Sequence, residues 1–350
     1  MSVNLSKLVA KRKLAFEELN GRTLAIDAYN VLYQFLSIIR GPDGTPLHDV
    51  HGNVTSHLSG LFYRSIELIG YGIKPIYVFD GVPSSLKQKT IEARIRHREE
   101  ERKAWELAKE EGKMEEARAH AMGSTRVTKE IVESGKKLLH LMGIPYMVAP
   151  SEGEGQASYM CKNGLVYAVA SQDYDTMLFG APRVARNVTI SGRRKLPRKN
   201  VYINIDPELM EFDATLKSLE INHKQLIWIG ILLGTDFNDG IKGVGPKTAL
   251  KIAKEAKSIE DIKRAVKEKY NAEFELDITE VQDLFLKPEV QDMSEKEIEE
   301  MLGRVPNAEG IVKFMCDEHD FSTERIQKFS ERLDELRSES RQKTIGQWFK

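Results

Sequence analysis

Cysteine is scarce in this sequence, which contains only Cys161 and Cys316 in 350 residues. The two lie far apart and form no Cys-x-x-Cys pair, so a zinc site built on cysteine pairs is excluded and a reducing compartment fits. Apolar runs long enough to span a bilayer are lacking, and the first residues lack the apolar stretch of a secretory signal. We therefore expect a soluble protein without membrane association.

An excess of basic charge is lacking as well. Lysine and arginine number 52, aspartate and glutamate 53, and the net charge is −1. This balance argues against a general nucleic-acid coat protein, which would be strongly basic. It is compatible with a basic surface that is offset by a buried acidic cluster. The length and the 41% hydrophobic content suffice for one large domain or two ordinary ones.

Short aliphatic runs alternate with helical patterns along the first half of the chain. The predicted strands are 23–29, 74–80, 144–148, 166–171 and 183–190. The predicted helices between them are 54–69, 125–142 and 154–163. Most of the strands are continuous apolar runs, as in a sheet that is buried on both faces. The alternation predicts an α/β fold with a mostly parallel sheet flanked by helices.

Three further segments depart from this alternation. Residues 87–122 have little apolar surface, and their opposite charges recur three and four residues apart, which predicts a solvated helix that could project from the core. Residues 222–254 have the pattern of a helix, a turn and a helix. The polar stretch 336–350 predicts a flexible tail.

Acidic side chains follow four successive predicted strands. In chain order they are Asp27, Asp80, the pair Glu152 and Glu154, and the pair Asp173 and Asp175. Because the carboxyl ends of parallel strands share the edge of a sheet where ligands bind, these six carboxylates should converge. Asp236, in the turn GTDFND, is a seventh candidate.

So many carboxylates at one edge repel one another and resist ionising unless cations accompany them. Few basic residues occur in these motifs, which favours hard divalent cations such as Mg²⁺. Seven carboxylates suit two ions, which can activate water and stabilise a leaving oxygen in phosphodiester hydrolysis. The alternative for any single acid is a helix cap or turn residue, but the repetition after four strands favours metal.

These motifs resemble those of the flap endonuclease family of structure-specific 5′ nucleases. The matching stretches are IDAYNVLYQFL, GIKPIYVFDGVPSSLKQKTIEAR, GIPYMVAPSEGEGQASYM, ASQDYDTMLFG and LLGTDFNDGIKGVGPKTALK. They follow in the family's order over about 23–254, with looser similarity through the acidic C-terminal helices. The resemblance implies a twisted sheet, a helical arch at about 82–125 over the active site, and a helix-hairpin-helix type DNA-binding element at about 222–256.

The resemblance also implies roles for individual residues. The seven acids would be ligands of two Mg²⁺ ions, for which Mn²⁺ could substitute, and Lys87 and Arg94 would engage the scissile phosphate from the arch. These two lie two helical turns apart and share a face, although spacing alone favours an exposed charged helix. Tyr33 matches an aromatic on which a base stacks; core packing is the alternative. Ser2 is a departure, because family members commonly have glycine there, near the active site.

The sequence GIKGVGPK has the form of a helical hairpin. Gly243 and Gly245 would let the backbone turn tightly and approach a phosphate, and Pro246 suits the first position of the next helix. Lys247 and Lys251 add cations on one face of that helix. An ordinary Gly-x-Gly-Pro turn is the alternative. The resemblance adds a monovalent cation held by backbone carbonyls in this turn.

The last residues resemble the peptide with which replication proteins bind a sliding clamp. Gln342, Ile345, Trp348 and Phe349 fit the pattern Q-x-x-aliphatic-x-x-aromatic-aromatic, although Trp348 stands where Phe or Tyr is commoner. The last three would share one face of a helical turn and anchor in a partner's pocket. Packing of the tail on its own domain is the alternative.

Together these features predict a structure-specific 5′ flap endonuclease, with an accompanying 5′–3′ exonuclease activity, in replication and repair. Residues 1–335 would form the nuclease domain and 336–350 the tail. We expect 5′ flap DNA and the clamp as partners, a monomer without them, and a location at the nucleoid in the cytoplasm of a prokaryote or in the nucleus of a eukaryote. The alternatives are a related gap exonuclease or junction resolvase, and a non-catalytic clamp-binding DNA factor.

Overall fold

The computed structural model describes residues 3–190, 192–195 and 202–348, with side chains described in 3–190 and 205–338. The strands are β1 (Lys11–Lys13), β2 (Thr23–Asp27), β3 (Lys74–Phe79), β4 (Tyr146–Val148), β5 (Ala168–Ala170), β6 (Arg183–Arg186), β7 (Gly192–Lys195), β8 (Tyr202–Ile205) and β9 (Glu208–Glu211). Within this part of the chain, no helix combines the length and apolarity that a membrane crossing needs.

Helices occupy most of the remaining chain. The α-helices are α1 (Ala28–Ile38), α2 (Ser56–Gly70), α3 (Gln88–Glu110), α4 (Met114–Gly123), α5 (Lys129–Leu141), α6 (Gly153–Lys162), α7 (Asp175–Leu178), α8 (Phe212–Leu219), α9 (His223–Leu233), α10 (Pro246–Glu255), α11 (Ile259–Tyr270), α12 (Ile278–Leu286), α13 (Glu295–Leu302), α14 (Ala308–Val312) and α15 (Thr323–Trp348). Short 3₁₀ turns lie at Phe16–Leu19 and Ser85–Lys87, and a π-helical turn lies at Lys313–Asp317.

Among the described residues, seven strands form one mixed sheet in the order β1-β9-β6-β5-β2-β3-β4, and β7 pairs with β8 in a separate hairpin. The strands from β6 to β4 are parallel to their neighbours, whereas β9 runs antiparallel to both β6 and β1. The α/β class with a mostly parallel sheet is thus confirmed. The antiparallel edge escaped prediction because β1 (KRK) and β9 (ELME) are not apolar runs.

Both faces of the central strands are buried, as their continuous apolar runs require. Along β2, Ala25 packs into one core, whereas Leu24 and Ile26 pack into the other. Helices α6, α9 and α12 contribute to the first core and α1, α2 and α5 to the second. This two-sided cover leaves the carboxyl ends of the parallel strands as the place where loops can form a site.

The charged segment after β3 is a helical hairpin rather than one helix. Helix α3 ends at Glu110, Gly112 turns the chain with φ +73°, and α4 packs back against α3. The hairpin is attached to the loop after α1, where the Trp105 indole donates to the Asp43 carbonyl at 3.3 Å and Lys109 pairs with the Asp43 carboxylate at 2.9 Å. A helical arch with little apolar surface therefore stands beside the sheet edge.

The C-terminal segment differs from its prediction. A flexible tail was expected from 336, but α15 continues as helix to Trp348. The reason lies in local propensity, since residues 331–345 contain no glycine or proline and are rich in Glu and Arg, which favour helix. The boundary between nuclease domain and tail at 335 remains a prediction.

Candidate active site

Two aspartates stand where neighbouring parallel strands end. Asp27 caps α1: its Oδ1 accepts from the Asn30 amide at 3.0 Å, and its Oδ2 lies 3.1 Å from the Ser171 hydroxyl oxygen. Asp80 directly follows β3, and its Oδ1 accepts from the Gly153 amide at the start of α6 at 2.7 Å. Because β2 pairs in parallel with β3, the two carboxylates lie at the same edge of the sheet.

The acids that follow β4 and β5 join them. Glu154 Oε1 accepts a hydrogen bond from Thr176 Oγ1 at 2.9 Å. It also lies 3.2 Å from Ser171 Oγ, whose single hydrogen is donated either to Glu154 or to Asp27. One carboxylate oxygen from each of Asp27, Glu154 and Asp173 lies within 4.8 Å of the other two. Three oxygen ligands this close together match the oxygen-donor set that hard divalent cations use.

A cavity of about 520 Å³ opens over this edge, beneath the arch. It is lined by six of the seven predicted acids, namely Asp27, Asp80, Glu152, Glu154, Asp173 and Asp236, together with Tyr33, Lys87 and Arg94. Asp175 is the exception. Its side chain is buried, and its Oδ1 accepts from the Val3 amide at 3.3 Å, so it lies behind the cavity wall.

Crowding and burial oppose ionisation of these acids. Burial, followed by the neighbouring Asp80, raises the pKa of Asp27 to about 7. Burial, followed by Asp236 and Asp173, raises the pKa of Asp175 to about 8. The pKa of Glu154 is raised well above its ordinary value by burial and then by the aspartates around it. The protein alone therefore does not compensate the charge of the cluster.

Two cations of the arch compensate one side of the cluster. Lys87 Nζ forms a short ion pair with Glu152 and lies 3.8 Å from Asp236 Oδ2. Arg94 Nη2 donates to both carboxylate oxygens of Asp236, at 2.6 and 2.7 Å. Burial would raise the pKa of Asp236, but Arg94 and then Lys87 outweigh it and the pKa is lowered.

The residues present fit a divalent metal centre. Asp27, Glu154 and Asp173 supply clustered oxygens in the lining of the cavity. Glu152 Oε1 is buried and finds no hydrogen-bond partner among the described residues. A buried carboxylate oxygen without a partner is costly, and a cation would satisfy it.

The predicted DNA contacts fall in two places. Tyr33 is 38% exposed and lines the cavity, so core packing does not explain it. Gly243 has φ +87°, a left-handed conformation that favours glycine, whereas Gly245 has an ordinary φ of −99°. A Cβ on Gly245 would meet none of the described atoms within 4 Å, so the fold itself does not require glycine there. Lys247 and Lys251 are exposed on α10.

The predicted clamp-binding residues lie at the end of α15. The helix backbone includes Gln342, Ile345 and Trp348, whose side chains fall outside the described part of the chain. Phe349 lies outside the described residues, as does Ser2. The pocket fit of the motif stays a prediction.

Several polar residues of the site were missed from the sequence. Asn30 donates to Asp173, Thr176 donates to Glu154, and Ser171 donates either to Glu154 or to Asp27. His97 and Arg98 on α3 also line the cavity. Asn30 lies three residues after Asp27, a spacing that marks a cap contact, but nothing in the sequence shows that its side chain reaches the loop after β5.

Comparison with known proteins adds family matches. The XPG N-terminal domain matches residues 2–101, and the XPG I-region matches residues 143–236. These two stretches carry every one of the seven acids and both arch cations, Lys87 and Arg94.

Relatives match over the whole chain. Flap endonuclease 1 of Thermococcus onnurineus is 49% identical over 100% of this chain and 99% of its own length. Flap endonuclease 1 of Pyrococcus furiosus is 48% identical over the full length of both chains. The solved structure of flap endonuclease-1 from Methanococcus jannaschii is 40% identical, covers 96% of this chain and 99% of its own, and superposes with a TM-score of 0.73.

Proposed function

This chain belongs to the flap endonuclease family, and we propose that it hydrolyses DNA at the base of 5′ flaps by a two-metal mechanism. Its full-length relatives are named flap endonucleases. The cluster of Asp27, Glu154 and Asp173 supports a metal-dependent nuclease. The observation that supports the mechanism is the placement of a carboxylate cluster directly beneath the cations of the arch, in one cavity.

We propose Mg²⁺ as the natural metal, with Mn²⁺ as a substitute. Two ions would be held by Asp236 and by the six carboxylates at the sheet edge. These six are Asp27, Asp80, Glu152, Glu154, Asp173 and Asp175. When bound, such ions would supply activation of the attacking water and stabilisation of the leaving oxygen. Asp175 does not line the cavity. It would either ligate an ion from the opposite side of the cluster or influence the neighbouring acids through its charge.

Lys87 and Arg94 would change partners when the substrate enters. Lys87 now pairs with Glu152 and Asp236, and Arg94 pairs with Asp236. A phosphate in the cavity offers them oxygens of the same charge, and Arg94 has the planar fork that matches a phosphate bidentately. Moved onto the scissile phosphate, the two cations would stabilise charge that develops there during cleavage. Their release would at the same time free the acids for metal.

The DNA would be held by its shape and backbone charge. Tyr33 would stack on the base beside the cut, which tolerates any base. At the hairpin, Gly243 and Gly245 would admit a phosphate close to the backbone at the N-terminus of α10, and Lys247 and Lys251 would add charge. A monovalent cation in this turn is part of the proposal and rests on the family resemblance.

The remaining partners follow from the tail. The motif of Gln342, Ile345, Trp348 and Phe349 would bind a sliding clamp and bring the nuclease to replication and repair sites. The archaeal relatives support a cytoplasmic location at the nucleoid. We further propose that the protein is a monomer without its partners and that it carries an accompanying 5′–3′ exonuclease activity.

A labelled 5′ flap substrate tests the proposal. With Mg²⁺ we expect cutting at the flap base and with chelator none. Asp173→Asn should lower the rate at least about 100-fold while flap binding persists, because one metal ligand of the cluster is lost. Asp283→Asn, an exposed acid of α12, is the matched control and should cut normally.

Substrate choice separates the alternatives. A gap exonuclease would prefer gapped duplex, a junction resolvase would prefer four-way junctions, and a non-catalytic clamp-binding factor would cut none of them. Undiminished cutting by Asp173→Asn would contradict the assignment of Asp173 to the metal centre. Equal cutting of plain duplex and flap DNA would contradict the proposed specificity for flaps.

A further inference from the structure

A line of three polar side chains leads from the loop after β6 to the acidic cluster. Thr189 Oγ1 donates to Gln34 Oε1 at 3.2 Å, Gln34 Nε2 donates to Asn30 Oδ1, and Asn30 Nδ2 donates to Asp173 Oδ2 at 3.1 Å. Gln34 and Asn30 lie one turn apart on the same face of α1. Thr189 is buried, and the two amides are partly buried.

The carboxylate of Asp173 sets the donor-to-acceptor direction of this line of hydrogen bonds. A carboxylate that ligates a metal only accepts hydrogen bonds, so in the metal-bound site Asn30 must present its amino group to Asp173. Its oxygen then faces Gln34, which must donate in turn, and the remaining oxygen of Gln34 accepts from the hydroxyl of Thr189. The hydroxyl of Thr189 can accept as well as donate, so it does not fix the direction by itself. Gln34 Nε2, as the donor to Asn30 Oδ1, supports the orientation of Asn30 that the Asp173 carboxylate requires.

Asn30 also forms a hydrogen bond with a second acid, Asp27. Its backbone amide donates to Asp27 Oδ1 at 3.0 Å, while its side chain holds Asp173. Oxygens of these two acids and of Glu154 are the ones that lie within 4.8 Å of one another. One residue therefore ties two members of the cluster to α1 and sets how far apart their oxygens lie.

Packing does not explain Asn30. The buried apolar face of α1 consists of Val31, Leu32, Phe35 and Leu36, whereas Asn30 lines the cavity. The polar groups of the Asn30 side chain thus form hydrogen bonds with Gln34 and Asp173, and the side chain does not pack in the core.

We propose that Asn30 is a positioning residue for the metal centre, and that Gln34, which donates to Asn30 Oδ1, supports the orientation in which the Asn30 amide donates to Asp173. Asn30 does not ligate the metal. It holds the Asp173 carboxylate in the orientation that completes the oxygen set with Asp27 and Glu154. This inference rests on the metal-binding role in the proposed function.

Manganese binding by the intact protein without DNA tests the inference separately from cleavage, with free Mn²⁺ measured by electron paramagnetic resonance. Asn30→Leu keeps the size of the side chain and removes its donor. We expect about tenfold weaker Mn²⁺ binding, as is typical when a residue that orients a metal ligand is lost. The melting temperature without metal should change little, because the core is untouched.

Gln34→Glu provides the sharper test, since residue 34 does not contact the cluster. A carboxylate cannot donate to Asn30 Oδ1, so Asn30 should invert, donate to the new carboxylate and present its oxygen to Asp173. We expect Mn²⁺ binding to weaken several-fold despite the added negative charge. Direct electrostatics would have the opposite sign and tighten binding. Gln34→Leu, which removes the donor without demanding inversion, should have the smaller effect.

The double variant Asn30→Leu/Gln34→Glu should bind Mn²⁺ no more weakly than Asn30→Leu alone, because Gln34 acts through Asn30. Unchanged Mn²⁺ affinity in Asn30→Leu, or tighter binding in Gln34→Glu, would overturn the inference and leave the proposed function standing. Absence of Mn²⁺ binding by the unmodified protein would overturn the proposed function and this inference with it.

Discussion

Arg94 and Asp236, which both line the cavity, form a bifurcated ion pair, with Arg94 Nη2 at 2.6 and 2.7 Å from the two carboxylate oxygens. Arg94 is on the arch, and Asp236 is in the turn between α9 and α10. The pair therefore connects the element predicted to select the flap with the element predicted to hold the duplex.

Arg94→Ala should lower the cleavage rate by about 100-fold, because a cation that stabilises charge on the scissile phosphate is lost. The cleavage rate of Arg94→Lys should lie between those of the unmodified protein and Arg94→Ala, since lysine keeps the charge but loses the planar fork. Single-turnover cleavage of a saturating flap substrate measures the effect on chemistry. Arg102→Ala, farther along α3 and paired with Glu106 at 3.0 Å, is the control and should stay within about threefold. Equal loss in the two alanine variants would contradict a specific role for Arg94.

The acidic cluster predicts a pH dependence of stability in the absence of metal. The pKa values of Asp27 and Asp175, about 7 and about 8, lie above their ordinary value of 3.8, so the folded protein keeps protons that the unfolded chain has released. The free energy of unfolding should therefore fall as the pH rises from about 4 through these values, by up to about 1.4 kcal/mol per pH unit for each group.

Thermal unfolding in chelator between pH 5 and pH 8 measures this dependence. Asp175→Asn stays neutral throughout, so its melting temperature should fall less than that of the unmodified protein over this range. Mg²⁺ should raise the melting temperature of the unmodified protein more at pH 8 than at pH 5, because cations bind the ionised acids. Parallel pH curves for the two proteins would show that Asp175 is ionised without metal.

The sequence predicted the centre of the sheet and the acids at its edge for a physical reason. Continuous apolar runs and the residues that end them are local signals, and parallel pairing brings those ends together. The helix-turn-helix at 222–254 was likewise predicted from a local pattern. The contacts of Asn30 with Asp173 and of Arg94 with Asp236 join residues 143 and 142 positions apart. Such pairs depend on how loops and the arch are placed, which local patterns do not encode.

The hairpin at the start of α10 predicts binding that is sensitive to salt and insensitive to base sequence. Replacing both Lys247 and Lys251 by alanine should weaken duplex binding at moderate salt and make the plot of log affinity against log salt shallower by about 1 for each phosphate that is no longer neutralised. Fluorescence anisotropy with two unrelated duplex sequences measures both effects. Lys254→Ala is the control on the same helix, because Lys254 pairs with Glu220 at 3.0 Å. A loss confined to one sequence would indicate base recognition instead.

The end of α15 predicts a clamp interaction that is separable from catalysis. Ile345 and Trp348 lie three residues apart on a helical backbone, so they share one face, as anchors in a partner's pocket must. Replacing Trp348 and Phe349 by alanine should weaken clamp binding at least about thirtyfold, the loss that buried aromatic anchors commonly carry. Gln347→Ala, between the anchors, should bind nearly as well.

Flap cleavage with and without the clamp separates this role from stability. Without clamp, the Trp348 and Phe349 double variant should cut as fast as the unmodified protein, since neither residue is among those predicted to act in cleavage. With clamp, its stimulation should disappear. A variant that loses clamp-free cleavage as well would show instead that the aromatic pair packs on the nuclease domain, where removing two large apolar side chains destabilises the fold. The two outcomes differ in the clamp-free rate, so that rate alone decides whether the aromatic end of the chain serves a partner or the protein's own core.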